Sequence, residues 1–409
     1  MDDGAAVSRI DAAVKVRDNV YTTYLISPWT KRLLPSLSHR VSPNMVTAVS
    51  IVLALVAAWL FAIGSTASVI AGAIVYQLSF AADCLDGQLA RYDGTATRVG
   101  ALLDWQFDRV KETAVVVGLA VGADGEWLAA AALLAMLATR SAITVSYKTL
   151  QSQAGEAARQ TEPGPLTAAE KWRSLALLPY GDRHLVLGML AVAIGLRNTL
   201  IYLAVWNLAA ALLQALRRFD QSQDEAYEDG RTDLHGDGYV GSMLSSRLRF
   251  GLHALFAAAI VTVPLWMPAT TTWQPYHLVL LPGLLLLAPA VPFWAGPLSS
   301  YLFEMGTILL LSRADVSPTL IIAAVVAVTL LRHFVNSDVL TGGLEQGWRR
   351  DPLGWELRSV GWLLGAFVAS EIAVALVVYT ATAAIWRLTS SLADRRRHDA
   401  AASGSAAPS

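Results

Sequence analysis

From 45 to 63, soon after Pro43, the chain runs through a predominantly apolar stretch without a single charged residue. A helix needs about 20 such residues to cross the hydrocarbon core of a bilayer. Predominantly apolar stretches recur at 67–82, 101–121, 127–147, 184–194 and 199–216, the fifth of the six being short. In lipid a spanning segment must satisfy its own backbone hydrogen bonds, so stretches of this length predict helices. The composition agrees, with 55% hydrophobic and only 15% charged residues, far from the soluble average. The expected fold class is therefore all-α integral membrane.

Basic residues gather before the first stretch (Lys31, Arg32, Arg40), between the second and third (Arg91, Arg98), between the fourth and fifth (Lys148, Arg159, Lys171, Arg173, Arg183) and after the sixth (Arg217, Arg218). By the positive-inside rule these segments are cytoplasmic. Residues 1–42 read as a cytoplasmic and interfacial segment rather than a cleavable signal peptide. In it Tyr24, Leu25, Ile26, Trp29, Leu33 and Leu34 mix with Lys31 and Arg32, the pattern of a segment lying in the lipid headgroup layer with its basic groups outward. A net charge of -1 gives no basic field for nucleic acid, and the single cysteine, Cys84, allows no internal disulfide.

The domain organisation expected is 1–42 as that segment, 43–218 as a six-helix core, 219–250 as an acidic cytoplasmic linker, 251–387 as a second membrane half, and 388–409 as a basic, then disordered, tail. The second half shows apolar stretches near 251–267, 276–294, 298–312, 318–334 and 360–386, which gives about four or five helices with one irregular or double pass.

Two pairs of carboxylates stand out between Asp83 and Asp108, which read DCLDGQLARYDGTATRVGALLDWQFD. Asp83 and Asp86 are spaced to share one helical face, as are Asp104 and Asp108, and a short connection brings the two pairs together. A carboxylate costs about 2.5 to 3.5 kcal/mol at the centre of a membrane helix, and a cluster of them adds mutual repulsion. Such a group requires positive charge. Hard divalent cations, Mg²⁺ or Mn²⁺, prefer oxygen ligands, and a pair of them stabilises both the attacking and the leaving oxygen of a phosphoryl displacement. Gly87 and Gly100 leave room for a diphosphate beside the backbone, Ala90 keeps the next turn small, and Arg91 offers forked donors to phosphate.

The positions Asp83, Asp86, Gly87, Ala90, Arg91, Gly100, Asp104 and Asp108 match the pattern DxxDGxxAR(x8)GxxxDxxxD, and in this the sequence resembles the CDP-alcohol phosphatidyltransferase family. Pro43, Asn44 and Thr47 resemble that family's entry into its first helix, and the likeness runs to about Arg218. The resemblance implies a six-helix CDP-alcohol phosphotransferase core acting on the cytoplasmic side. In it Asp83, Asp86, Asp104 and Asp108 hold two Mg²⁺ or Mn²⁺ ions, and Asp108 is also the general base. Asp83, Gly87, Ala90, Arg91, Gly100, Asn44 and Thr47 bind the donor. It further implies a CDP-alcohol donor, a hydroxyl acceptor, membrane lipid as an environment or substrate, and a homodimer.

The acceptor is less legible. Arg140, Arg183 and Arg109, with Lys111, are placed to form a basic pocket for a phosphorylated acceptor, and positive-inside anchoring explains the same residues. His184 reads as a structural hydrogen-bonding residue. Two other classes remain open on the sequence: a divalent-cation transporter built on the Asp cluster, which has no need of Arg91, and a silent membrane scaffold.

Overall fold

A computed structural model describes residues 9–15, 18–153, 167–223, 304, 305, 307, 308, 311, 316–340, 353–368 and 370–404. Among them every regular element is a helix. A π-helical turn, Thr22–Ile26, leads into α1 (Ser27–Leu37), followed by α2 (Pro43–Ile63), α3 (Thr66–Tyr92), α4 (Arg98–Gly122), α5 (Trp127–Gln153), α6 (Ala168–Leu177), α7 (Tyr180–Ile194) and α8 (Leu196–Gln223). In the second half lie α9 (Pro318–Leu340), α10 (Gly354–Phe367) and α11 (Ser370–Gly404). Each of the six apolar stretches of the first half lies within a helix. The chain divides into two compact units, the first comprising Met1–Leu133 and Ala157–Ala210, the second Leu134–Glu156 and Ala211–Ser409.

In the first unit, α2 starts where Ser42 accepts a hydrogen bond from the Met45 amide and Pro43 presets the first turn. It stops at Gly64, whose φ of 75° is left-handed, and Ser65 at once caps α3 by accepting from the Ser68 amide. The result is a tight antiparallel pair. Across it Ser50 Oγ donates to the Ser79 carbonyl at 3.0 Å while Ser79 Oγ donates to the Ser50 carbonyl at 2.8 Å.

The buried face of α2 is small, with Val46, Ser50, Ala54, Ala57, Ala58 and Phe61, while Val49, Val52, Leu55, Val56 and Trp59 face outward. An apolar exterior around a small-residue interior suits helices packed within lipid. α4 meets α2 at Gly118 and Gly122, where an added Cβ would stand 2.2 Å from the Ala58 carbonyl oxygen and 1.9 Å from that of Phe61. Only glycine permits this approach.

α1 presents Thr30 and Leu34 inward and Trp29 and Leu33 outward. Leu34 packs with Val46, Leu85 and Leu89, and Gln88 Nε2 donates to Ser27 Oγ at 3.2 Å, so α1 is tied to α3. Just before it, the Tyr21 amide donates to Asp182 Oδ1 at 2.8 Å and its hydroxyl to Gln77 Oε1 at 2.9 Å. Burial pushes the Tyr21 phenol up to about 12, which keeps it a donor.

In the second unit, Glu304 is completely buried and takes Arg358 Nε at 2.5 Å, Arg358 Nη2 at 2.8 Å and Arg332 Nη2 at 3.4 Å, joining α9 to α10. α10 packs on α11 through Gly361 and Gly365; a Cβ at Gly365 would stand 2.7 Å from that of Ala373.

The apolar stretch 360–386 is divided between two helices, since α10 ends at Phe367 and α11 begins at Ser370. α11 runs on through the basic part of the tail to Gly404, as its alanines favour helix even in a polar segment. Residues 224–250 of the expected linker and the stretches 251–267 and 276–294 lie outside the described residues. By length and composition three of the described helical segments suit a membrane crossing, Pro43–Ile63, Thr66–Tyr92 and Ser370–Ser390.

Candidate active site at the turn between α3 and α4

α3 ends at Tyr92, Gly94 turns the chain with a φ of 68°, and Thr97 caps α4 by accepting the Gly100 amide at 2.9 Å. Asp93, to which the sequence assigns no role, accepts a hydrogen bond from Ser38 Oγ at 2.6 Å and so pins the turn to the end of α1. Folding α3 back onto α4 through this short turn sets the two Asp pairs side by side.

Asp83, Asp104 and Asp108 converge, each offering a carboxylate oxygen within 4.8 Å of the others. Asp86 is outside this group. It is 4% exposed, and Thr47 Oγ1 donates to its Oδ2 at 2.5 Å. Of the four carboxylates expected as ligands, three thus share a centre, and the fourth is held beside it by α2. Thr47 stands beside the cluster through Asp86, whereas Asn44 is exposed in the first turn of α2.

Oδ1 of Asp104 is buried and accepts no hydrogen bond. A buried carboxylate oxygen left without a donor costs about 1 to 3 kcal/mol or more. Three hard oxygen donors at one point, one of them unsatisfied, fit Mg²⁺ or Mn²⁺.

Positive charge is already present. Lys111 Nζ pairs with Asp83 Oδ1 and, at 3.1 Å, with Asp108 Oδ1, and it donates to Ser50 Oγ at 3.1 Å. On sequence Lys111 reads as part of a basic acceptor pocket; it is instead turned into the acidic cluster, 2% exposed.

Gly87 serves a neighbour. A Cβ there would stand 3.3 Å from Arg91 Nη1, so the glycine makes room for that guanidinium. Arg91 Nε donates to the Ala13 carbonyl at 2.7 Å, which fixes the side chain along α3. A Cβ at Gly100 would stand 3.1 Å from Thr97 Oγ1, so the glycine keeps the cap of α4 tight. Ala90 lies on the same helix, one residue before Arg91.

Two of the expected acceptor residues meet, though not as a free basic pocket. Glu112, 4% exposed, receives Arg109 Nη1 at 2.5 Å on one oxygen and Arg183 Nε at 2.6 Å on the other. Arg183 Nη1 adds a bond to the Leu178 carbonyl at 3.3 Å. Tyr180 lies against both guanidinium groups, 4.8 Å from Arg109 and 5.8 Å from Arg183, and its hydroxyl donates to Asp108 Oδ1 at 2.9 Å. His184 stacks between Tyr76 and Phe80, with Nδ1 2.9 Å from the Tyr180 carbonyl, a structural role. Arg140 is buried in the part of α5 that belongs to the second unit.

Sequence reading missed Ser50, Glu112 and Tyr180 at this site. Glu112 carried a signal, one helical turn after Asp108 and three residues after Arg109. Tyr180 carried none.

Among the described residues an all-helical, lipid-suited scaffold thus gathers three carboxylates beside a buried ammonium. Residues 40–213 match the family model described as CDP-alcohol phosphatidyltransferase. The chain is 32% identical over 134 residues to the phosphatidylinositol phosphate synthase of Mycolicibacterium smegmatis, covering 30% of this chain and 59% of the relative. It is 31% identical over 87 residues to the archaetidylinositol phosphate synthase of Pyrococcus horikoshii, covering 21% of this chain and 45% of the relative. The chain thus spans about half the length of the curated relatives it matches.

Proposed function

We propose that this protein transfers a substituted phosphate group from a CDP-alcohol to an acceptor hydroxyl, releasing CMP, in the synthesis of a phospholipid or related polar lipid. The observation that carries the reading is the convergence of Asp83, Asp104 and Asp108 inside the residues that match this family. Asp83, Asp104 and Asp108 hold divalent metal, two ions in the full site, with Asp86 beside them. Bound Mg²⁺ or Mn²⁺ supplies charge for the oxygens of the transferring phosphate and the departing CMP.

Asp108 takes the proton of the acceptor hydroxyl. That oxygen bonds to the phosphorus carrying the donor alcohol, the bridge to the cytidine phosphate breaks, and CMP leaves with the bridging oxygen. Arg91, with Gly87, Ala90 and Gly100 keeping its surroundings small, binds the diphosphate, and Asn44 and Thr47 flank the donor. Asp83 contributes to both metal and donor binding.

The acceptor is a phosphorylated alcohol of the inositol phosphate kind. The names of the two relatives support this, as does the Arg109–Arg183 pair, whose two positive charges exceed the single charge of Glu112. Arg140 is the third acceptor candidate. Residues 43–218 make a six-helix membrane core with this site on the cytoplasmic side, followed by a further membrane half of four or five helices. A homodimer is carried over from the family resemblance alone.

The test is CMP release from a panel of CDP-alcohols, CDP-diacylglycerol included, by membranes holding the full chain, with Mg²⁺ or Mn²⁺ and with or without inositol phosphate. Acceptor-dependent CMP release is expected. No release with any donor would falsify the reading.

A further inference from the structure

The acidic centre contains a cation of its own, built in with care. An ammonium group has three N–H donors and no acceptor. Lys111 finds three oxygens on three helices, Ser50 Oγ of α2, Asp83 Oδ1 of α3 and Asp108 Oδ1 of its own α4. Its side chain is 3% exposed, and those of Asp83 and Asp108 are 10% and 14%. Ser50 is itself fixed by its reciprocal bonds with Ser79. The ammonium is therefore seated rather than swinging in solvent.

Three carboxylates drawn within 4.8 Å repel one another. Two unit charges 4 Å apart interact by about 4 kcal/mol at an effective dielectric constant near 20. Before any divalent ion arrives, something must offset this repulsion or the helices will splay. Lys111 touches two of the three carboxylates; Asp104, the third, keeps its Oδ1 without a donor.

We propose that Lys111 is a positioning residue and resident counter-cation, which holds Asp83 and Asp108 together while the centre is free of divalent ions and thereby weakens and sets the affinity for them. The inference rests on reading the acidic cluster as a divalent-ion centre. It assigns Lys111 to the metal equilibrium, not to the acceptor.

The sign of the effect makes it testable. Lys111→Met removes the charge and keeps the length of the side chain. In full-length protein in detergent, Mn²⁺ binding followed by the loss of its free-ion electron paramagnetic resonance signal is expected to become at least about fivefold tighter than in wild type. The thermal midpoint of the variant in chelator is expected below that of wild type, and saturating Mn²⁺ is expected to close the gap. A residue that merely packs would move stability without tightening the ion, so equal or weaker Mn²⁺ affinity overturns the inference.

Ser50→Ala removes one seat of the ammonium and touches no carboxylate. It is expected to tighten Mn²⁺ binding by a smaller factor, which keeps the test decisive if Lys111→Met does not fold; no tightening there overturns the inference too. Failure of the underlying reading looks different: neither wild type nor variant would bind Mn²⁺, and the inference falls with it.

Discussion

Tyr180 donates its phenolic hydrogen to Oδ1 of Asp108 at 2.9 Å, from a helix that begins 72 residues further along the chain. Lys111 grips the same oxygen, so Oδ1 is the anchored side of this carboxylate and Oδ2 is left for chemistry. Tyr180→Phe keeps the ring against Arg109 and Arg183 and removes only the hydroxyl. The expected result is a fall of about tenfold in kcat with KM for donor and acceptor changed less than about twofold, the pattern of a lost transition-state alignment. A steady-state CMP assay checks it, and a change confined to KM would reassign Tyr180 to binding.

Asp108→Asn preserves size and removes basicity. CMP release is expected to drop by about 10² to 10⁴-fold while a CDP-alcohol still binds, as general-base losses generally do. Equilibrium binding of labelled donor beside the turnover assay separates the two effects.

Metal removal should silence the protein reversibly. Chelator is expected to abolish CMP release and added Mn²⁺ to restore it. Asp104→Asn, which alters the buried oxygen that has no donor, should weaken Mn²⁺ at least about tenfold. Titration of the ion against each protein provides the measurement; unchanged affinity would remove Asp104 from the ligand set.

Glu112→Gln strips the shared charge from two buried guanidinium groups. Breaking such a network by deleting one partner costs about 3 to 5 kcal/mol. A marked fall in thermal midpoint is expected, with acceptor KM altered in whatever folded protein remains. Thermal unfolding followed by tryptophan fluorescence checks the first, and acceptor titration the second.

Gly118→Leu addresses the scaffold alone. With the Ala58 carbonyl oxygen only 2.2 Å from an added Cβ, α2 and α4 must separate. Overpacking of this kind costs about 1 to 3 kcal/mol or more, and the cost should appear as lower yield of monodisperse protein by size exclusion. Wild-type behaviour would show that the two helices approach less closely.

Apolar run length and Pro43 made α2 readable from residues alone, and run length did the same for α3, α4, α5, α7 and α8, whereas α6 falls where the sequence showed only a basic connection. The sequence left room for a double pass in the second half but did not place a break at Phe367–Ser370, because both sides are apolar and the break carries no proline. The helical extension to Gly404 was masked by its charge and small residues, which resemble a loose tail in composition yet favour helix in propensity.

At the site, spacing along α3 and α4 was enough to name the four aspartates, since helical periodicity is a local property of the chain. Which three of them share a centre was decided by packing. Thr47 draws Asp86 aside, Lys111 seats itself between Asp83 and Asp108, and Glu112 takes up the two arginines that on sequence looked open to an acceptor. Each of those choices depends on how closely α2, α3, α4 and α7 approach, and between α2 and α4 that distance is fixed by Gly118 and Gly122. Charges buried together must find partners in space, and no pattern along the chain records which ones they find.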